Sequence, residues 1–241
     1  MELNVVFLGL FASVVVGGGL VTFLHSTHQS QCIKWLLAFS GGFLLAIIFQ
    51  HLLPDLYKGG DTSFGIYILY GFLIQLILEY FSGGIEHGHV HIASKQTIPW
   101  LLFISLSIHS IIEGIPLGNH YTGITHGEQH QHSTLLWGII FHQIPVSVAL
   151  MTLLFHTTLK IWQNWLILAL FGIMTPLGVV IGLNMTTSDL GIDIHTILAI
   201  VVGMFLHIST TIIFETSENH KFNIFKLFSI VAGVILAMLL Y

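Results

Sequence analysis

The chain has 241 residues, of which 54% are apolar and only 7% are charged. Soluble domains carry about 25% charged residues, so this composition indicates a polytopic membrane protein and excludes a soluble enzyme or binding domain. The formal net charge of −5 argues against nucleic acid or an anionic lipid surface as a partner. The expected partners are therefore small molecules or ions, within a shell of membrane lipids, and a homodimer is left open.

Eight apolar stretches follow one another along the chain. A membrane-spanning helix takes about 20 apolar residues, so the stretches predict an all-α fold of eight transmembrane helices in a single domain over residues 1–241. Because no basic segment precedes the first stretch, helix 1 is predicted to be retained rather than cleaved as a signal peptide. The predicted helices cover about 3–24, 35–56, 64–82, 98–118, 134–158, 161–183, 194–215 and 222–240.

The few basic residues predict the orientation of the chain in the membrane. Because cytoplasmic connections carry an excess of basic residues, the connections after helices 1, 3, 5 and 7 are predicted to be cytoplasmic. Lys58 is then the exception, and both termini lie outside, most simply at a plasma (cytoplasmic) membrane. The basic residues are Lys34, Lys58, Lys95, Lys160, Lys221 and Lys226.

Helix 2 ends with two polar residues four positions apart, His51 and Asp55, on either side of Pro54. Residues at this spacing share one helix face, and this part of the helix is predicted to lie near the outer interface. The pair could feed cations toward a deeper site. The alternative is that Asp55 is simply solvated at the interface.

Two connections are longer and rich in histidine. Residues 84–97 are predicted on the inner side and residues 119–133 on the outer side. Imidazole nitrogens at close spacing can capture borderline divalent metals, although a solvated polar loop that binds nothing is an equal reading. The histidines with possible capture roles are His87, His89 and His91 in the first loop and His126, His130 and His132 in the second.

The most informative residues lie in the middle of helices 4 and 5. Glu113 sits inside an apolar stretch, four residues after His109, with Ser110 beside them, and helix 5 offers His142 and Gln143 at a similar depth. A carboxylate costs at least ~3 kcal/mol in hydrocarbon, so it needs a cation, a proton or a water-filled cavity. These five residues predict an intramembrane metal site, and the alternative is a histidine pair that links the helices beside a protonated Glu113.

Helix 7 contributes a further mid-membrane histidine, His207, with Ser209 and Thr210 close by. It could lie on the access or exit path for a cation, although a helix-packing role is an open alternative. Glu79, near the end of helix 3, is expected to snorkel toward the interface.

Two of these motifs resemble those of the ZIP (Zrt/Irt-like) metal transporters. The segment from His109 through Glu113 to Gly114 is similar to the family's His-Asn-x-Pro-Glu/Asp-Gly signature, and His142 to Pro145 resembles its His-Glu-x-Pro element. Weaker likenesses occur in the expected order on helices 2, 6 and 7. They are Gly41-Gly42 with His51-Leu52-Leu53-Pro54-Asp55, Pro176-Leu177-Gly178, and Gly203-Met204-Phe205-Leu206.

The resemblance implies a fold and a function. The fold is a 3+2+3 arrangement with inverted outer repeats around helices 4 and 5, and a faint likeness between residues 42–45 and 203–206 is what such a repeat would leave. The function is transport of divalent cations, with zinc uptake toward the cytoplasm expected first and iron, manganese, cobalt or cadmium as alternative cargo. No resident cofactor and no enzymatic activity are expected.

The sequence also departs from the family pattern. Where family members commonly hold two adjacent metals with bridging carboxylates, the corresponding positions here are Ser110, Gln143, Val146 and Thr175. Two divalent cations around the remaining carboxylate, Glu113, would be poorly neutralised at low dielectric. A single metal position is therefore predicted, made by His109, Glu113, His142 and, as weaker candidates, Gln143 and Ser110.

Two alternatives from other classes are left open. An intramembrane zinc-dependent hydrolase would use Glu113 as general base, but it would then have only His109 and His142 as firm ligands where such sites have three. A metal sensor or scaffold would bind metal at the loop histidines without any flux.

Overall fold

The structure is a computed structural model that describes residues 2–23, 29–82, 100–122, 129–185, 193–215 and 224–240, apart from the side chains at 29–32, 119–122, 129–133 and 215. Within these ranges every regular element is a helix. We number the transmembrane helices α1 to α8. They are α1 Leu3–Phe23, α2 Gln29–Ile47 continued by Ile48–Leu52 and Leu53–Tyr57, α3 Phe64–Ser82, α4 Trp100–Thr122, α5 Gln129–Phe155, α6 Ile161–Gly172 and Met174–Asn184, α7 Ile194–Glu215, and α8 Ile224–Leu239.

These helices confirm the prediction of an all-α polytopic membrane protein. Over the described residues, the first seven are long and apolar enough to cross a membrane, and α8 is a shorter apolar helix of 16 residues. The predicted bounds were least accurate where helices continue into polar sequence. Helix α2 begins earlier than predicted, and parts of the predicted loop at 119–133 belong to α4 and α5. The predicted loop at 84–97 lies outside the described residues.

Two helices are irregular at positions where proline removes a backbone donor. Pro54 cannot donate to the carbonyl four residues earlier, and the turn just before it is a π-helix in which the N–H of Leu53 reaches the oxygen of Ile48. Pro176 has the same effect in α6, where the helix breaks at Ile173. The first irregularity includes His51, and π-turns within α-helices are frequent at functional positions.

The main pairs of packed helices are related to one another by an internal repeat, in which each helix of one half of the chain takes the place of a helix of the other half. Helix α1 packs on α5 as α6 packs on α4, and α2 packs on α8 as α7 packs on α3. Exchanging helices 1 to 3 with 6 to 8, and 4 with 5, therefore maps the main contacts onto one another. This is the pairing that the inverted repeat of the sequence resemblance predicts. The contacts also divide the helices into two groups. The first group is α1, α4, α5 and α6, and the second group is α2, α3, α7 and α8.

Glycines allow the second group of helices to approach closely. At each of four glycines, an added Cβ would collide with a backbone carbonyl oxygen of the facing helix. Such close contacts are typical of helix packing in membranes, where van der Waals contact takes the place of the hydrophobic effect. The contacts are related by the same exchange as the helices. They are Gly42 against Ile230, Gly233 against Phe39, Gly71 against Ile200, and Gly203 against Ile68.

Candidate metal centre

Three side chains predicted as metal ligands meet in the interior of the bundle. His109 and Glu113 come from α4 and His142 from α5, and all three are at most 2% exposed. One candidate ligand atom from each lies within 4.8 Å of the others. The i, i+4 spacing puts the first two on one face of α4, and the packing of α5 against α4 brings His142 to that face.

The orientation of His109 is set by a glutamine on α3. Its Nδ1 lies 2.9 Å from Oε1 of Gln75. Because an amide oxygen only accepts, Nδ1 carries the proton, and it donates to Gln75. The opposite nitrogen, Nε2, therefore points toward Glu113 with Oε2 at 3.3 Å. A ligand histidine whose other nitrogen donates to a fixed acceptor is the usual arrangement in metal sites.

The two carboxylate oxygens of Glu113 have different surroundings. Oε1 accepts hydrogen bonds from the hydroxyl of Thr175 at 3.1 Å and from the amide of Gln143 at 3.4 Å. Oε2 faces the Nε2 atom of His109. In the tautomer set by Gln75, Nε2 and Oε2 are both acceptors, so their 3.3 Å separation requires a proton or a cation between them.

A chain of polar side chains extends from Glu113 across three other helices. Thr175 on α6 donates to Glu113, and Gln143 on α5 donates to the hydroxyl of Thr175. The hydroxyl of Ser13 on α1 is shared between the carbonyl of Leu10 at 2.7 Å and Oε1 of Gln143 at 2.9 Å. The close contact of Gly114 with the backbone of Thr175 allows α6 to approach α4 closely enough for this chain. The network therefore links Glu113 of α4 to side chains on α6, α5 and α1.

This network gives Gln143 a different position from that of the predicted ligand. Its amide nitrogen faces Glu113, and its oxygen is the acceptor for Ser13. Amide oxygens bind metals and amide N–H groups do not, so in this arrangement Gln143 positions the carboxylate. Ligation by Gln143 requires the amide to turn over and the hydrogen bond with Ser13 to break. Ser110 is buried next to His109.

An aromatic ring from α7 packs beside both imidazoles of the site. The ring centroid of Phe205 lies 6.5 Å from that of His109 and 6.2 Å from that of His142, while the two imidazoles are 5.8 Å apart and nearly perpendicular. The ligands are therefore surrounded by protein. Their electrostatic interactions are much stronger here than they would be in water.

The residues predicted for an access or exit path lie in two other places. Asp55 forms an ion pair with Lys58 at the end of α2, and His51 is partly buried in the π-turn of that helix. His207 is buried on α7, and its Nε2 lies within hydrogen-bond distance of Oε2 of Glu79 on α3. Glu79 was expected to extend toward the interface, but its carboxylate contacts His207 and its side chain is only 15% exposed. The structure does not describe the side chains of the loop histidines that are predicted to capture metal.

Three residues of the network were not predicted to take part. Ser13 and Gln75 have no motif around them, and at Thr175 the sequence shows only that the acidic residue of the family pattern is missing. The signal for Gln75 was available, since a lone amide in the apolar stretch of α3 needs a hydrogen-bond partner there. Ser13 gave no signal, because hydroxyls are satisfied within their own helix and are common in membrane spans.

Comparison with known proteins identifies the family. The model of the ZIP zinc transporter family matches residues 82–241, more than half of the chain, and this part includes His109, Glu113 and His142. No curated protein matches the chain. The match confirms the resemblance found in the sequence, and a family of transporters agrees with the prediction that the chain is not an enzyme. The chain belongs to the ZIP zinc transporter family and is an integral membrane protein for the transport of divalent metal ions.

Proposed function

We propose that the protein takes up zinc toward the cytoplasm through a single intramembrane position formed by His109, Glu113 and His142 between α4 and α5. The observation that carries the proposal is the 3.3 Å contact of two acceptors, Nε2 of His109 and Oε2 of Glu113. A divalent cation bound to both atoms satisfies them together. His142 supplies a third ligand atom within 4.8 Å.

The separation of the His109 and Glu113 ligand atoms suits zinc. Tetrahedral zinc with bonds of about 2.0–2.1 Å holds neighbouring N and O ligands about 3.4 Å apart, which is close to the observed 3.3 Å. The imidazoles and carboxylate also bind iron, manganese, cobalt and cadmium, whose selection depends on geometry and availability. Zinc is therefore the first cargo to test, and the others are its competitors.

The low charge of the site favours transport over storage. Conduction requires binding that is strong enough to remove water from the ion and weak enough to release it. One carboxylate and two neutral imidazoles leave a bound divalent cation only half neutralised. The hydrogen bonds from Gln143 and Thr175 hold Oε1 of Glu113 in place and leave Oε2 as the ligand atom, so the carboxylate binds the cation through one oxygen. We expect short occupancy and rapid release.

The distribution of lysines supports an orientation with both termini outside. We place the protein in the plasma membrane, as a monomer or a homodimer. Lys58 lies in the connection between α2 and α3, and its side chain is 74% exposed. In a Cys32→Ser background, Lys58→Cys should react with a membrane-impermeant maleimide in intact cells. Reaction only after the cells are opened would reverse the proposed direction.

The central experiment measures metal uptake by the purified protein in liposomes, with zinc, iron, manganese and cadmium offered in turn. Glu113→Ala and His142→Ala should each reduce uptake to the background of empty liposomes. Asp193→Ala and His195→Ala are matched controls, because this histidine–carboxylate pair is more than half exposed on both sides. The controls should transport at the original rate.

The outcomes separate the alternatives. Uptake that survives both Glu113→Ala and His142→Ala would remove the proposed pathway. Binding without uptake in the original protein would favour a sensor or scaffold.

A further inference from the structure

A second histidine–carboxylate pair lies inside the bundle, away from the candidate centre. Glu79 of α3 and His207 of α7 are in direct contact through Oε2 and Nε2. Their side chains are 15% and 6% exposed, respectively. The edge of the His207 ring packs against Phe72, with centroids 4.6 Å apart and planes at 90°. This pair has the same ligand types as His109 and Glu113.

The two pairs are connected through one face of α3. Gln75 accepts the hydrogen bond from His109, and Glu79 lies four residues further along the same helix. Residues at this spacing share a face and are separated by about 6 Å along the helix axis. The second pair is therefore one helical turn beyond the hydrogen bond that orients a ligand of the candidate centre.

The contact between α3 and α4 occurs in only one half of the internal repeat among the described residues. Helix α3 packs against α4 as well as α7, whereas the pair related to α3 and α4 by the internal exchange, α8 and α5, makes no comparable contact among the described residues. The face of α3 that carries Gln75 and Glu79 is next to α4, at the contact that α8 and α5 do not reproduce. It runs toward the end of α3 at Ser82, the same side of the bundle on which α4 begins.

We propose that Glu79 and His207 form a second, weaker binding station for the transported divalent cation, between the candidate centre and the side of the membrane on which α3 ends. The proposal rests on the proposed function and extends it. Glu79 lies about one helical turn beyond Gln75, the hydrogen-bond partner of His109. A cation that leaves the main centre along this face of α3 therefore meets a carboxylate and an imidazole again. Water completes its coordination, since Glu79 is the more exposed partner of the pair. Two protein ligands bind more weakly than three, which suits a station that must release the ion.

The test measures Cd²⁺ binding to the purified full-length chain by equilibrium dialysis. In the background protein, Glu113→Ala and His142→Ala disable the main centre, and serine replaces the six histidines of the loops predicted to capture metal. We expect about one weakly bound Cd²⁺ per chain. Either Glu79→Gln or His207→Ala should lower that affinity by about tenfold, the effect of losing about 1.4 kcal/mol of ligation. Asp193→Asn should leave it unchanged.

A second measurement uses the intact main centre. Glu79→Gln alone should still bind one Cd²⁺ per chain at the main centre with the affinity of the original protein, which shows that it folds, and should slow zinc uptake several-fold. The station is overturned if the background protein binds no Cd²⁺, or if Glu79→Gln and His207→Ala leave its binding unchanged. These results are distinguishable from a failure of the proposed function, because the binding experiment requires no flux and the main centre is already disabled.

Discussion

The pairs His109–Glu113 and His195–Asp193 combine the same chemical groups at nearly the same distance, 3.3 Å and 3.2 Å. The first is at most 3% exposed in both side chains, while the second is more than half exposed. At the surface, water and salt screen such a pair, and its contribution to stability is about 0–1 kcal/mol. Inside the bundle the same groups require compensation from other side chains or from an ion. The difference shows that burial, and not the identity of the two groups, distinguishes the candidate site from an ordinary surface pair.

The strongest test of this comparison removes the charge from each pair in turn. Glu113→Gln should weaken Cd²⁺ binding by at least about 100-fold, since a buried anionic ligand to a divalent cation contributes more than about 2.7 kcal/mol. Asp193→Asn should leave the affinity unchanged. Isothermal titration of both variants measures the effect. Equal affinities in the two variants would show that burial does not distinguish the pairs.

A second test alters the residue that orients His109. Gln75→Leu removes the acceptor for Nδ1, and loss of such a partner typically costs about 10- to 100-fold in metal affinity. Gln75→Glu keeps an acceptor at the same position and should retain most of the affinity. Comparison of the two Kd values separates orientation from simple packing. If the leucine and glutamate variants bind equally well, the hydrogen bond does not set the geometry.

A third test adds negative charge where the sequence departs from its family. Gln143→Glu would place a second carboxylate where the amide now lies 3.4 Å from Glu113, and Val146→Glu would add another on the same helix. Such carboxylates repel unless a cation or proton joins them. The double variant should bind up to two metals per chain and release them about tenfold more slowly, a change of about 1.4 kcal/mol. Metal analysis after dialysis measures the stoichiometry, and a value that stays at one or below would contradict the prediction.

The smallest expected effect concerns the far end of the hydrogen-bond network. Ser13→Ala removes the donor to Gln143 and should lower the Cd²⁺ affinity by about fivefold, the equivalent of one hydrogen bond of about 1 kcal/mol. Thr22→Ala is the matched control on the same helix, because the hydroxyl of Thr22 donates to the backbone of Gly18 within α1. Both Kd values come from the same titration. A larger loss for Thr22→Ala than for Ser13→Ala would exclude the network as the cause.

Much of the fold could be predicted from the sequence because each membrane span must bury its own backbone polar groups, so a long apolar stretch has few alternatives to a helix. The convergence of the candidate triad was predictable for a related reason, since Glu113 is expensive in hydrocarbon and has a histidine at i−4. The π-turn at His51 and the break at Ile173 were not predicted. A proline marks a probable irregularity, but tertiary packing decides which form it takes.

The partners that orient the triad were the least predictable part of the site. Gln75, Ser13 and Thr175 come from three different helices, and only the packing of those helices brings them to the ligands. Spacing along one helix carries no information about such contacts. The pairing of Glu79 with His207 across 128 positions of sequence has the same origin.

The donors around Oε1 of Glu113 have a consequence for the return half of the transport cycle. A carrier that has discharged its cargo must reorient unloaded, and a bare carboxylate would make that step costly in the membrane. If the site transports metal as proposed, the hydrogen bonds from Thr175 and Gln143 compensate part of the charge on Glu113 once the ion has left. We expect the unloaded protein to reorient with a smaller electrostatic barrier than a site with two uncompensated carboxylates would impose.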